Sequence, residues 1–187
     1  PARGGSKRIP RKNIKDFCGQ PIIAYSIQAA QQSELFDRII VSTDDEEIAV
    51  VAKQYGAEIP FMRPKELADD HTGTNAVVKH ALEWLRDQGE PAKYVCCIYA
   101  TAPFVQAEYL KQGYHKLISS NKDFVFSVTS FEFPIQRAVR INRNGEVEPL
   151  FLEHISSRSQ DLEEAYHDAG QFYWGKAESY LSGLKVH

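Results

Sequence analysis

Cysteine is scarce in this chain: three residues in 187, two of them adjacent as Cys96-Cys97. That spacing builds neither a disulfide framework nor a zinc motif. On a strand the adjacent pair points to opposite faces, so reduced thiols and a cytoplasmic setting are expected. The six histidines show no metal-ligand spacing. No uninterrupted apolar run is long enough to span a membrane, and no secretory signal is visible. Positive charge is not in excess: the formal net charge is −3, which argues against a general nucleic-acid binder. Two nucleotide signatures are missing as well. There is no Gly-Lys-Ser/Thr after a four-residue spacer and no Gly-x-Gly-x-x-Gly. Linkers, internal repeats and low-complexity tracts are also lacking, so one domain over residues 1–187 is expected.

What is present is ordinary globular material. Hydrophobic residues make up 43% and charged residues 25%, enough for one sizeable core. Pro21–Gln32 reads as a buried helix with proline at its start. Arg38–Thr43 is an apolar run of strand length, as in a buried parallel strand. Thr43-Asp44-Asp45 then caps a helix through Tyr55, with Glu46 and Glu47 in its first turn and Gly56 at its end. Glu58–Met62 reads as a short strand kept near an edge by Pro60. After a polar loop, Thr74–Gln88 is an amphipathic helix. Tyr94–Tyr99 is a second buried strand, Gln106–Ser119 a helix, and Phe124–Thr129 a strand. This alternation implies an α/β fold: three layers around a mostly parallel sheet of Rossmann-like, nucleotidyltransferase type. After Ser130 the rhythm changes. Ala138–Ile141, the turn Asn142–Gly145 and Val147–Leu152 read as a small β-hairpin insertion. Glu153–Asp168 is polar and irregular, Gln171–Gly175 a last short strand, and Lys176–Ser182 the start of a helix.

The densest chemistry lies in the first thirteen residues. Arg3, Lys7, Arg8, Arg11 and Lys12 surround Gly4-Gly5-Ser6, and no acidic residue occurs before Asp16. Adjacent glycines let a backbone adopt positive φ and turn its N–H groups toward one point. Cations around such a turn make a pocket for a polyanion, a nucleoside triphosphate above all. Ligands in open α/β sheets sit beyond the carboxyl ends of strands. That rule adds Ser42–Asp45, the loop opened by Arg63, and Ala100-Thr101-Ala102-Pro103 to the candidate site. Loops of this kind normally follow a first central strand, so a strand is expected ahead of Pro1.

The run Ala2-Arg3-Gly4-Gly5-Ser6-Lys7, followed by Pro10-Arg11-Lys12-Asn13, resembles the signature loop of the acylneuraminate cytidylyltransferase family. Arg63-Pro64 through Leu67 and Asp70, leading into Thr74, resembles the family segment that helps read cytosine. Taken alone, that segment also describes a surface loop whose Thr74 caps a helix; with the entry loop present, the nucleotide reading is preferred. Tyr99-Ala100-Thr101-Ala102-Pro103 resembles the family's Gln-Pro-Thr-Ser-Pro, with Tyr99 in place of Gln and Ala102 in place of Ser. Ser157-Arg158-Ser159-Gln160-Asp161-Leu162 and His167-Asp168-Ala169-Gly170-Gln171-Phe172-Tyr173 resemble two late motifs, in the form of the pseudaminic acid branch. Pro134-Ile135-Gln136-Arg137 is in keeping with that branch.

The resemblance implies transfer of CMP from CTP to an acidic nine-carbon sugar, with release of pyrophosphate. Arg3 and Lys7 would be catalytic. CTP would be held by Arg3, Gly4, Gly5, Ser6, Lys7, Asn13, Arg63, Thr72, Thr74 and Thr101, with Lys12 and Arg8 secondary. The sugar would meet Arg137, Arg158, Gln160, Asp161, His167, Asp168 and Gln171. An alternative for Arg158 and Asp161 is a structural pair bracing an irregular loop. Mg²⁺ is implied, held by an Asp-x-Asp pair expected beyond His187; Asp168 alone makes a weak site. A homodimer is implied, and neither nucleic acid nor membrane as partner. The rivals are a sialic or legionaminic acid cytidylyltransferase, and a CTP-binding module without catalysis.

Overall fold

Pro21 stands directly before helix α1 (Ile22–Ser33) in the computed structural model, which describes residues 1–186. The helix buries Ile23, Ala24, Ile27, Ala29 and Ala30, as its apolar run demands. Ahead of it lies a feature the residue pattern does not announce. Strands β1 (Asp16–Phe17) and β2 (Gln20–Pro21) pair antiparallel around Cys18-Gly19. Both turn residues have positive φ, 51° and 93°, the requirement of a two-residue hairpin whose twist matches its strands.

Helix α2 (Glu46–Gln54) begins as expected. The Asp45 carboxylate accepts from the Ile48 N–H at 3.0 Å, satisfying one of the free donors at the helix start. Gly56 follows it at φ 88°. The two strands expected on either side of α2 shrink to one parallel bridge, Ile40 to Glu58. Val41 N–H donates to Glu58 O and Glu58 N–H to Ile39 O. Pro60 has no N–H with which to continue the ladder, so Glu58–Met62 does not become a strand. Helix α3 (Thr74–Asp87) is capped by Gly73, not by Thr74, and buries Val77, Val78 and Leu82.

The main sheet has the order β3-β7-β4, with β3 at Tyr94–Ile98, β4 at Phe124–Ser130 and β7 at Tyr166–Lys176. Helix α4 (Ala107–Ser119) lies between β3 and β4 in the chain, and α5 (Ala177–Leu181) follows β7. The last strand is eleven residues long, not five, and runs antiparallel to β3. It takes the final three residues of the stretch expected to be irregular. As the sheet's central strand it pairs with β3 over Phe172–Lys176, and its polar Tyr166–Asp168 end runs on beyond that register.

Alternation on β7 explains the layers. Phe172 and Trp174 pack into one cluster with Leu110, Leu117 and Ala29, while Tyr173 packs into another with Val78, Leu82 and Tyr180. Helices therefore cover both faces of the sheet. The cysteines follow the same rule: Cys96 packs on the first cluster and Cys97 lies in the second. Burial pushes both thiols up, which keeps them protonated and unreactive. Trp174 Nε1 donates to Leu110 O at 3.0 Å, and its ring stacks on Phe36 at 5.1 Å.

The contacts divide the chain into two compact units, Pro1–Ser127 with the chain from Gly170 on, and Val128–Ala169. The second contains the expected hairpin, β5 (Val139–Ile141) with β6 (Val147–Pro149), antiparallel. It also contains short 3₁₀ turns at Ile135–Arg137, Leu152–His154 and Ser159–Asp161.

Candidate functional site

Gly4 is required in the entry loop, and for space instead of dihedral freedom. Neither Gly4 nor Gly5 has positive φ. A Cβ built on Gly4 would sit 2.6 Å from Asp45 Oδ2 and 2.9 Å from Asp45 Cβ, whereas one on Gly5 would meet nothing within 4 Å. The expected cluster of N–H groups aimed at one point is only partly found. Gly4 N–H donates to Asp44 Oδ1 at 2.9 Å, and Ser6 N–H to Gly4 O at 2.9 Å. Among the described residues, the Gly5 N–H donates to no protein group.

The five cations of the loop do not act together. Arg11, at φ 54°, turns away and binds Asp45 at 2.5 and 3.1 Å as well as Glu47. It ties the loop to the start of α2 and is spent there. The Asp45 carboxyl is held below its usual range, chiefly by this bond from Arg11. Arg3 and Lys7 share a different carboxylate. Arg3 Nη1 lies 2.8 Å from Asp70 Oδ1, and Lys7 Nζ binds Asp70 Oδ2. Asn13, buried in the 3₁₀ turn Lys12–Ile14, donates to Arg3 O at 2.8 Å. It therefore steadies the loop itself.

A polar pocket of about 260 Å³ gathers most of the expected nucleotide residues. Arg3, Ser6, Lys12, Asn13, Arg63, Thr72, Thr74 and Thr101 all line it. Gly4, Gly5 and Lys7 do not; Lys7 is 84% exposed and reaches the site only through Asp70. A larger cavity, about 630 Å³, runs between Ile39–Ser42 and Tyr94–Ile98. It is walled mainly by core aliphatics such as Ile23, Ile27, Val77 and Leu82, and of the two cations on its lining Arg38 is bound by Glu58 and Glu90 and Lys93 lies over the Tyr94 ring. The smaller pocket is the candidate site.

Within it, Arg63 is committed on one side. Its Nε donates to Ser42 Oγ at 3.0 Å and its Nη2 to Ser42 O. Burial pushes the guanidinium down from its usual value; among the described residues, Nη1 makes no hydrogen bond. Thr72 donates to Glu66 O at 3.2 Å, and the Thr74 hydroxyl lies 3.5 Å from Tyr99 Oη. Asp69, Asp70 and Tyr99 also line it; they were not assigned to CTP from the sequence, although Asp70 and Tyr99 stand in the segments that carry the family resemblance. Their signal was present: two acids and an aromatic on the same strand-end loops as the chosen residues.

The sugar candidates divide between the units. Gln171 belongs to the first, and its carbonyl accepts from the Tyr99 N–H at 2.9 Å. The other six lie in the second unit. There Arg158 and Asp161 form a bidentate pair at 2.7 and 3.2 Å, the bracing alternative. Arg137 donates to Ser157 O at 2.7 Å, and His167 stacks edge-on against Phe131 at 4.9 Å. Among the described residues no group of three His, Cys, Asp or Glu could hold a metal ion. No helix of the described residues is long and apolar enough to cross a membrane.

A polar pocket at the strand ends of an α/β sheet, with a basic loop on one wall, has the position that ligands take in open α/β folds. The chain belongs to the cytidylyltransferase family, whose model matches residues 1–181. It is 52% identical over 181 residues to a pseudaminic acid cytidylyltransferase of Campylobacter jejuni subsp. jejuni, covering 97% of this chain and 78% of that one. It is 34% identical to N-acylneuraminate cytidylyltransferase A of Danio rerio, covering 98% of this chain and 42% of that protein. Among solved structures, a CMP:2-keto-3-deoxy-manno-octonic acid synthetase complexed with CTP superposes with a TM-score of 0.72. It covers the whole chain and 77% of the synthetase at 17% identity, a likeness of fold.

Proposed function

We propose that this chain transfers CMP from CTP to pseudaminic acid and releases pyrophosphate. The observation that carries the proposal is the 52% identity over 97% of the chain to an enzyme of that name. The pocket supports it, since Arg3, Ser6, Lys12, Asn13, Arg63 and the three threonines converge there. The anomeric hydroxyl of the sugar attacks the α-phosphorus in line, and the protein's task is positioning and charge neutralisation. Arg3 and Lys7 take the negative charge growing on the leaving pyrophosphate. Gly4 keeps the loop against Asp44 and Asp45, Gly5 and Ser6 donate to phosphate oxygens, and Asn13 fixes the backbone of Arg3. The uncommitted Nη1 of Arg63, with Thr72 and Thr74, reads the cytosine, and Thr101 completes that wall.

Arg137 is the cation for the sugar carboxylate, because Arg158 is already paired with Asp161. Gln160, Asp161, His167, Asp168 and Gln171 suit the hydroxyls and acylamino groups. The family implies a divalent metal; we take it to be Mg²⁺, which habitually accompanies nucleotide phosphates with only one or two protein carboxylates. Asp168 is a single such carboxylate. The exposed apolar residues of the second unit, Phe133, Ile141, Val147 and Leu152 among them, support a homodimer. Three free cysteines suit the cytoplasm, and the −3 net charge suits neither nucleic acid nor an anionic membrane as partner.

The test is pyrophosphate release from CTP and Mg²⁺ with a panel of nonulosonic acids. A higher kcat/KM with pseudaminic acid than with N-acetylneuraminic or legionaminic acid is expected. Preference for either of the others would reassign the substrate. CTP binding without pyrophosphate from any sugar would reduce the chain to a nucleotide-binding module.

A further inference from the structure

Asp70 has no place in the nucleotide chemistry, yet it contacts both cations assigned to the triphosphate. One carboxylate oxygen lies 2.8 Å from Arg3 Nη1 and the other binds Lys7 Nζ. Two oxygens on one centre, each taking one cation, is also what a phosphate group would present. Asp70 lines the polar pocket beside Arg3, so on the proposed placement a phosphate there competes with its carboxylate for that guanidinium. Its loop is braced independently of this contact. Asp69 Oδ1 accepts from the N–H groups of His71 at 3.0 Å and Thr72 at 2.6 Å. The Asp70 side chain can therefore swing away without the loop unfolding.

Resting on the proposed nucleotide site, we infer that Asp70 is a built-in competitor of the triphosphate: it holds Arg3 and Lys7 and yields them to phosphate. Two opposed effects decide its net influence. Removing the carboxylate frees both cations for phosphate, but it also loosens them. The loosening is small for Arg3, whose Nη1 also donates to Asp69 O at 2.6 Å and whose backbone is held by Asn13. Lys7 is 84% exposed, and Arg3 and Asp70 are each about one third exposed, at 34%. Pairs this exposed shift an equilibrium by no more than about fivefold each. They are weak enough for a triphosphate to break and strong enough to measure. The same pairs, re-forming after catalysis, help to expel pyrophosphate.

The experiment compares Asp70→Asn with the wild-type chain by equilibrium binding of pyrophosphate, CTP and cytidine. Pyrophosphate and CTP should bind about 3- to 10-fold more tightly to Asp70→Asn, and cytidine unchanged. Asp70→Glu, which keeps the charge, should restore wild-type affinity. Unchanged or weaker pyrophosphate binding by Asp70→Asn would overturn the inference, as would an equal gain for cytidine. If Asp70→Asn does not fold, Asp70→Ser is measured against the same outcomes. Sugar-dependent pyrophosphate release by the wild-type chain is followed in parallel. A wild type that makes CMP-sugar while Asp70→Asn gains no affinity refutes this inference alone. A tightened variant beside a wild type inert with every sugar refutes the proposed activity alone.

Discussion

Replacing Gly4 by alanine separates two accounts of the entry loop. If the glycines serve backbone freedom, Gly4 and Gly5 should matter alike. The structure says otherwise: a Cβ at Gly4 would stand 2.6 Å from Asp45 Oδ2, with open space at Gly5. Asp45 cannot retreat freely, because its carboxylate caps α2 at the Ile48 N–H and binds Arg11. Overpacking of this kind costs about 1–3 kcal/mol, and disturbing the cap adds about 1 kcal/mol. We expect Gly4→Ala to lose roughly 2–4 kcal/mol, which for a chain of this size lowers Tm by about 4–16 °C. Gly5→Ala should stay within about 0.5 kcal/mol of wild type. The assay is thermal unfolding of both variants together with Asp45→Ala and the Gly4→Ala/Asp45→Ala double variant. The double should cost clearly less than the sum of the singles, since the clash disappears with the Asp45 side chain. Equal Tm losses for Gly4→Ala and Gly5→Ala, or strict additivity in the cycle, would refute the steric reasoning.

Other perturbations test the remaining assignments. Lys7→Ala should lower kcat roughly 10²- to 10³-fold, the scale for one preorganised donor; kinetics within threefold of wild type would remove Lys7 from the chemistry. Arg63→Ala leaves Ser42 without its partner and should cost about 1–3 kcal/mol of stability. It should also weaken CTP more than UTP and spare pyrophosphate, whereas equal losses for all three ligands would make Arg63 purely structural. The Asp45 carboxyl is depressed chiefly by Arg11, so its stabilisation is present above the unfolded value of about 3.9 and is lost as pH falls through the folded value. Arg11→Ala should therefore show a shallower fall of Tm below about pH 5 than wild type; identical slopes would discard the linkage.

Helices were legible wherever an apolar stripe coincided with a stop signal. Asp45 and Gly56 bracket α2 as expected, and α3 and α4 fall within a residue of their expected ends. Strands were less legible because they depend on partners distant in the chain. Arg38–Thr43 has the composition of a strand but forms a single bridge, while β7 extends through polar Tyr166–Asp168, beyond its register with β3. In the site, residue type was readable and allegiance was not. Arg3 and Arg11 look equivalent eight positions apart, yet one faces Asp70 in the pocket and the other is bound by Asp45 and Glu47. Asp70 was legible as part of the loop opened by Arg63, but its pairing with Arg3 and Lys7 was not, because only the fold carries it across to a loop 63 residues upstream. The Cys18-Gly19 turn was missed because cysteine at positive φ has no compositional signal.

The account turns on where CTP lies. A crystal structure of the chain with CTP bound measures that directly. It should show triphosphate oxygens within hydrogen-bond distance of Arg3 and Lys7, both ion pairs to Asp70 broken, and cytosine against Arg63 and Thr74. CTP seated elsewhere, or bound in this pocket with the Arg3–Asp70–Lys7 contacts intact, would contradict it.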